Sequence, residues 1–104
     1  GAPRTMVPIS IHPPVYEDIA LVVDEAVTAE QMERTIRVAG GRLLREVQLF
    51  DVYRGAPVAA GKKSMAYALT FQSDAKTLKD AEVARLRQRI VRRLEKELGA
   101  VLRA

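Results

Sequence analysis

Residues 63–72 read KSMAYALTFQ and carry the clearest alternating pattern in the chain. The large side chains of this stretch are Met65, Tyr67, Leu69 and Phe71, and the small ones are Ser64, Ala66, Ala68 and Thr70. Successive side chains of a β-strand point to opposite faces of a sheet. The pattern therefore predicts a strand whose large side chains pack under helices, while its small side chains leave the other face shallow and open.

Further strands are predicted on both sides of this one. The segments are 16–23, 43–53 and 100–103. The first places Ile19, Leu21 and Val23 on one parity, as expected of a buried strand face. The second has apolar residues on both parities, which predicts a β-bulge or a change of register near Gln48. The third is short and apolar, which is typical of an edge strand.

A helix is predicted between the first two strands, over residues 28–39. Thr28 is a good N-cap, and Gln31 three positions later completes the sequence pattern of a capping box. The glycine pair at 40–41 ends the helix, because glycine adopts the left-handed cap conformation without strain.

A second helix is predicted from about Asp80 to Leu98, with Thr77 or Asp80 as its cap. Its apolar residues recur at helical spacing and are Val83, Leu86, Ile90, Leu94 and Leu98. The order strand, helix, strand, strand, helix, strand is that of the split βαβ unit. The sequence therefore predicts an α+β, ferredoxin-like βαββαβ sandwich, in which two helices cover one face of a four-stranded antiparallel sheet.

The composition suits one folded domain, with 104 residues of which 48% are hydrophobic and 29% charged. We assign this domain to residues 15–104. Residues 1–14 contain four prolines and are interpreted as a linker. The chain begins with Gly and not with Met, so we expect it to be a piece of a longer protein.

Several classes of site are disfavoured by composition. The chain has no cysteine, which removes disulfide frameworks, thiolate zinc sites and cysteine nucleophiles. No apolar run approaches the roughly 20 residues that cross a bilayer, and residues 1–10 lack the apolar segment of a signal peptide. These features favour a cytoplasmic protein without a membrane partner.

No catalytic residue, metal site or cofactor site is predicted in this fragment. The single histidine, His12, lies in the linker, away from any base or ligand cluster. Residues 61–64 end like a phosphate-binding loop, but a second lysine interrupts that motif and a strand follows it instead of a helix. The carboxylates Asp24 and Glu25 are interpreted as solvated groups at a strand end.

Binding is the better interpretation. The net charge of +4 and the isoelectric point of about 9.8 favour a polyanionic partner. If Phe50 is buried, Tyr53 faces the open sheet surface, where an unstacked base could lie on its ring. Asp51 could accept a hydrogen bond from a base amino group, and Ser64 could donate or accept one. Alternatively, Tyr53 caps the edge of the core and Asp51 ties down the turn at Gly55.

Two lysines, Lys62 and Lys63, lie next to this surface in the sequence. At the rim of the sheet, they could contact phosphates.

Five segments, in the same order, resemble a known family. They are Pro14-Val15-Tyr16-Glu17-Asp18-Ile19-Ala20-Leu21-Val22-Val23, Phe50-Asp51-Val52-Tyr53-Arg54-Gly55, Gly61-Lys62-Lys63-Ser64-Met65-Ala66-Tyr67, Thr77-Leu78-Lys79-Asp80-Ala81-Glu82-Val83 and Gly99-Ala100-Val101-Leu102-Arg103. Together they resemble the C-terminal anticodon-binding domain of phenylalanyl-tRNA synthetase β subunits. The likeness covers nearly all of the chain after the linker. One departure is Glu17, where that family often has arginine.

The resemblance implies a non-catalytic domain that binds the anticodon of phenylalanine tRNA and positions it for aminoacylation by the parent ligase. It implies a parent β subunit that pairs with an α subunit in an α2β2 enzyme, whose own site uses ATP and magnesium. It also implies that Asp51, Tyr53 and Ser64 face the anticodon. Ala20 shares their predicted face and is expected to line the base pocket.

Two other functions remain open on the residues alone. One is a small-molecule sensor domain, which would bind its ligand where two copies meet. The other is a subunit-assembly domain, whose open sheet face would pack on a partner protein. The predicted face of Ala, Ser, Thr, Asp and Tyr is polar for the core of such an interface, and the resemblance favours RNA.

Overall fold

The computed structural model describes residues 11–104, which contain the predicted elements in the predicted order. The strands are β1 (Val15–Asp24), β2 (Leu44–Tyr53), β3 (Lys62–Phe71) and β4 (Val101–Leu102), and the helices are α1 (Ala29–Gly40) and α2 (Asp80–Leu98). The described strands form one antiparallel sheet in the order β2-β3-β1-β4. The ferredoxin-like α+β fold is therefore confirmed.

Most of the predicted linker, residues 1–10, lies outside the described residues. Residues 11–14 contain neither helix nor strand. They contact the domain, because the side-chain amide of Gln72 donates a hydrogen bond of 2.8 Å to the carbonyl of His12.

The hydrophobic core lies between the helices and one face of the sheet. All four large side chains of β3 are buried, as are Ile19, Leu21 and Val23 of β1. The helices contribute Met32, Ile36, Ala39, Val83, Ile90, Val91 and Leu94. In α2, Leu86 and Leu98 are only partly buried, whereas Val91 is buried beside Ile90 and widens the predicted apolar stripe.

Helix α1 begins and ends as its sequence predicts. The backbone amide of Gln31 donates to the Thr28 hydroxyl at 3.1 Å, and the Thr28 amide donates to the Gln31 side chain at 2.9 Å. These two bonds satisfy amides that a helix start otherwise leaves unpaired. At the other end, Gly41 has a φ of +69°, and a Cβ on Gly40 would lie 2.4 Å from a methyl group of Leu44. The glycine pair therefore allows α1 to lead into β2 through one short 3-10 turn, Gly41–Leu43.

The start of α2 differs from the prediction. Its N-cap is Lys79, and neither Thr77 nor Asp80 takes that position. The backbone amide of Lys79 donates to the Glu82 carboxylate at 3.2 Å. Glu82, the third residue of the helix, thus caps the amide of the N-cap residue. The prediction had placed the capping side chain on Thr77 or Asp80.

Strand β2 contains the expected irregularity close to Gln48, two residues farther along the strand at Phe50. The pairing with β3 shifts between Leu49 and Asp51, so Phe50 is the extra residue of a β-bulge. A second shift lies between Leu44 and Glu46. The condition under which Tyr53 was placed on the open face, a buried Phe50, is not met, because Phe50 is 55% exposed.

Candidate functional site

The register of the sheet gathers four of the predicted residues on the helix-free face. Tyr53 lies opposite Ser64 across the β2–β3 pair. In the next row, Asp51 pairs with Ala66, and Ala66 pairs in turn with Ala20 of β1. These side chains therefore occupy two neighbouring rows near one end of the sheet. We call this surface the Tyr53 platform.

Tyr53 reaches the helix-free face because of the bulge at Phe50. Leu49 and Tyr53 have the same parity, yet Leu49 pairs with the buried Tyr67, whereas Tyr53 pairs with Ser64. The Tyr53 hydroxyl donates a hydrogen bond of 2.6 Å to the carbonyl of Ala56. Its side chain is 40% exposed and does not cap the core edge. The ring is therefore held at its tip and can stack on a ligand through its face.

Asp51 presents an exposed carboxylate beside this ring. Within residues 11–104 it forms no hydrogen bond or ion pair, so it does not tie down the turn at Gly55. A carboxylate repels phosphate but accepts hydrogen bonds from amino groups. Its position therefore suits the edge of a base better than an RNA backbone.

Ser64 and the alanines form the floor of the platform. Ala20 and Ala66 are half-buried, and Ser64 is only 3% exposed although no helix covers its face. Side chains on the same face must therefore shield Ser64. Tyr53, directly opposite, is one residue placed to do so.

The two lysines point to opposite sides of the sheet. Lys62 lies at the end of the helix-free face, and its ammonium contacts the Asp24 carboxylate at 2.5 Å. Lys63 has the parity of the core residues and is 8% exposed. Its ammonium donates to the carbonyl of Glu25 at 3.0 Å and lies 3.3 Å from the carboxylate of that residue. The structure therefore does not bring Lys63 to the platform.

Glu25 is exposed, as expected of a carboxylate at a strand end, and it is also the centre of an ion-pair network at this end of the sheet. The Arg54 guanidinium binds both of its oxygens, one of them at 2.8 Å. Hydrogen bonding to Arg54, helped by Lys63 and opposed by partial burial, lowers the pKa of Glu25 to about 2. The same pair raises the pKa of Arg54. The network ties the end of β1 to the residue that follows Tyr53.

Arg103 is a residue of this surface that the sequence analysis missed. It follows β4, and its guanidinium carbon lies 5.3 Å from the centroid of the Tyr53 ring. This distance is within the range of a cation–π contact. The sequence gives little indication of this contact. An arginine that follows a short edge strand can lie over either face of the sheet, and the pattern around it does not decide which.

Elsewhere in the described part of the chain, no site for other chemistry is evident. A groove of about 470 Å³ lies at the edge of β1 against α2 and is open. Glu17 is half-buried there and its carboxylate is 3.6 Å from Arg87. Residues 11–104 contain no group of three acidic, histidine or cysteine side chains that could hold a metal ion. No helix within them is long and apolar enough to span a membrane.

Comparisons with known proteins show the family of this chain. Residues 10–103 match the model of the family described as the ferredoxin-fold anticodon binding domain. Three similar curated proteins, each named phenylalanine–tRNA ligase beta subunit, come from Bifidobacterium longum, Clostridium tetani and Moorella thermoacetica. They are 48%, 48% and 50% identical over 100%, 88% and 92% of this chain.

The chain spans only 12% of the length of each of these relatives. The family match, by contrast, covers nearly the whole chain, and it confirms the resemblance drawn from the five segments. This chain therefore belongs to the family of ferredoxin-fold anticodon binding domains.

Proposed function

We propose that this chain binds the anticodon of phenylalanine tRNA, as the C-terminal domain of the β subunit of a phenylalanine–tRNA ligase. The family description and the names of the relatives support this function. The observation that carries it is the Tyr53 platform, where an anchored aromatic ring, a carboxylate without a partner in the described chain and a serine lie in two neighbouring rows.

The platform suits bases more than phosphates. Stacking on Tyr53 is available to any base and contributes about 1–3 kcal/mol. Asp51 and Ser64 add hydrogen-bonding groups that distinguish one base edge from another. The half-buried Ala20 and Ala66 leave room above the sheet for a flat ring. A stacked base read at its edge is the usual mode of single-stranded RNA recognition.

The lysines have different parts in this proposal. Lys62 is exposed, and its ion pair with Asp24 is of the weak surface kind, so a phosphate can replace that carboxylate. Lys63 supports the site indirectly, because its ammonium holds Glu25, which binds Arg54 next to Tyr53.

Aminoacylation with phenylalanine, ATP and magnesium belongs, in this proposal, to a site elsewhere in the parent α2β2 enzyme, on its α subunit. The contribution of this chain is to position the tRNA for that reaction in the cytoplasm.

Binding to RNA stem-loops tests the proposal. The chain is titrated with the anticodon stem-loop of phenylalanine tRNA and with a loop of changed anticodon, at low and moderate salt. Tyr53→Ala should weaken binding to the matching loop by about 5- to 150-fold, which corresponds to 1–3 kcal/mol.

Tyr16→Ala is the matched control. Tyr16 is an exposed tyrosine of the same sheet face, but it pairs with Thr70 at the far end of the strands. Its loss should leave binding within about twofold of the unmodified chain. Equal binding to both loops, unchanged by Tyr53→Ala and strongly reduced by salt, would show only phosphate attraction and would refute the proposal.

A further inference from the structure

Arg103 reaches the Tyr53 platform from the opposite edge of the sheet. Its backbone amide donates to the carbonyl of Ala20 at 2.7 Å, and the Ala20 amide donates to the carbonyl of Ala104 at 2.8 Å. The backbone of Arg103 is therefore fixed beside β1. Tyr53 lies on β2, at the other edge of the strand order. With strands about 4.8 Å apart, the two backbones are separated by roughly 14 Å.

Two long side chains bridge this separation over a floor of shorter ones. Ala20, Ala66 and Ser64 form most of this floor, with Val22 beside Ser64, and Arg103 and Tyr53 extend over it towards each other. The guanidinium ends 5.3 Å from the ring centroid. Ser64, which is 3% exposed, is flanked on this face by its cross-strand partners Tyr53 and Val22.

The Arg103 guanidinium contacts the Tyr53 ring and no carboxylate of the described residues. Arg103 forms no ion pair with any residue in the range 11–104, although Asp51 presents an exposed carboxylate on the same face. A guanidinium is planar and weakly hydrated, so it stacks on aromatic rings and equally on nucleobases. A base that enters the platform therefore meets the Tyr53 ring on one side and can keep the guanidinium on the other.

Building on the function proposed above, we propose that Arg103 is a further RNA-binding residue, which covers Tyr53 in the free domain and moves outward to sandwich the base that stacks there. The spacing requires this movement. Stacked ring centroids lie about 4.5–7 Å apart, so a guanidinium at 5.3 Å leaves no room for a base between it and the ring. Arg103 is exposed and its hydrogen bonds to β1 are made by its backbone, so its side chain can leave the Tyr53 ring and rotate outward without breaking the sheet.

The first test needs no RNA. Ring-proton chemical shifts of Tyr53 are measured by NMR in the unmodified chain, in Arg103→Met and in Arg92→Met. Met keeps much of the length of arginine and removes the guanidinium. Arg92 is an exposed arginine of α2 on the other side of the sheet. The chemical shifts of the Tyr53 ring protons should change in Arg103→Met and not in Arg92→Met. If they are the same in Arg103→Met as in the unmodified chain, Arg103 does not cover Tyr53 in the free domain.

The second test measures binding to the anticodon stem-loop. Arg103→Met should weaken binding by about 2- to 30-fold, the range expected of a cation–π contact. Arg92→Met, which removes the same charge, should not. In the Tyr53→Ala background, Arg103→Met should cost less than in the unmodified chain, because the base then lacks the surface that holds it under the guanidinium.

Salt dependence separates the sandwich from a phosphate contact. A stacked guanidinium should leave the slope of log affinity against log salt nearly unchanged, whereas loss of a phosphate contact should reduce that slope by about 1. A reduced slope, or binding equal to that of the unmodified chain, would overturn this inference while Tyr53→Ala still supports anticodon binding. If Tyr53→Ala also has no effect, the proposed function fails as well.

Discussion

The size of the side chain at position 66 should control access to the Tyr53 platform. Ala66 lies between Ala20 and Asp51 in one row of the sheet, and Ser64 is the next residue of its strand on the same face. Leucine at this position adds three carbons above the floor, in the space that a base on Tyr53 must enter. Loss of stacking would cost about 1–3 kcal/mol of binding free energy, or about 5- to 150-fold in affinity.

The same substitution should hardly change the stability of the fold. Ala66 points away from the core, so Ala66→Leu neither fills nor opens a cavity there. Surface substitutions of this kind usually change the free energy of unfolding by no more than about 0.5 kcal/mol. Urea unfolding of both chains, followed by circular dichroism, measures this difference and shows whether a loss of binding reflects a loss of folding.

Ala68→Leu is the matched control for the binding measurement. Ala68 is half-buried on the same strand and face, but it pairs with Asp18 and Gln48, one row farther from Tyr53. Fluorescence anisotropy with a labelled anticodon stem-loop should give weaker binding for Ala66→Leu alone. If Ala66→Leu binds like the unmodified chain, a base does not lie over this row and the reasoning is refuted. Equal losses in both variants would instead place the RNA along the whole face.

Two further predictions concern the stability of the fold. The Tyr67 hydroxyl is buried without a hydrogen-bond partner among residues 11–104, and its burial, together with the charge of Glu33, raises its pKa to about 12. Tyr67→Phe removes this unpaired group and should therefore raise the free energy of unfolding, measured by urea titration, by about 1 kcal/mol. A loss of stability in this variant would contradict the prediction. Glu25 has a pKa lowered from 4.5 to about 2, chiefly by Arg54, so its contribution is complete above pH 4.5 and is lost as the pH falls towards 2. Glu25→Gln should accordingly lose less stability than the unmodified chain between pH 4.5 and 2, and parallel pH profiles would show that the pair contributes nothing.

The fold could be predicted because its signals are local. The alternation in β3 places each side chain on a face without knowledge of any other strand, and all four of its large residues are in the core. The capping box of α1 likewise depends on residues three positions apart, Thr28 and Gln31, and it forms as predicted. The wrong prediction for the cap of α2 is also local in origin. The capping carboxylate is that of Glu82, three positions after the N-cap residue Lys79.

Parts of the candidate site could not be predicted because they depend on which strands are neighbours. Arg103 contacts Tyr53 only because the sheet order places β4 and β2 at opposite edges of a floor of shorter side chains. Glu25 contacts Arg54 across a separation of 29 residues in the sequence. The prediction that both lysines lie at the platform could have been avoided from the sequence alone. Adjacent residues of a strand point to opposite faces, so only one of the two, Lys62, could share the platform side.

The bulge at Phe50 joins the fold to the proposed function. Leu49, Asp51 and Tyr53 have the same parity, so in a regular strand all of them would face the core or all would face away from it. One extra residue lets β2 place Leu49 against the core and Asp51 and Tyr53 on the helix-free face. That arrangement leaves the Phe50 side chain 55% exposed, an unfavourable position for an aromatic residue. The platform therefore depends on a residue that need not touch RNA, because without it Tyr53 would turn away from Ser64 and Arg103.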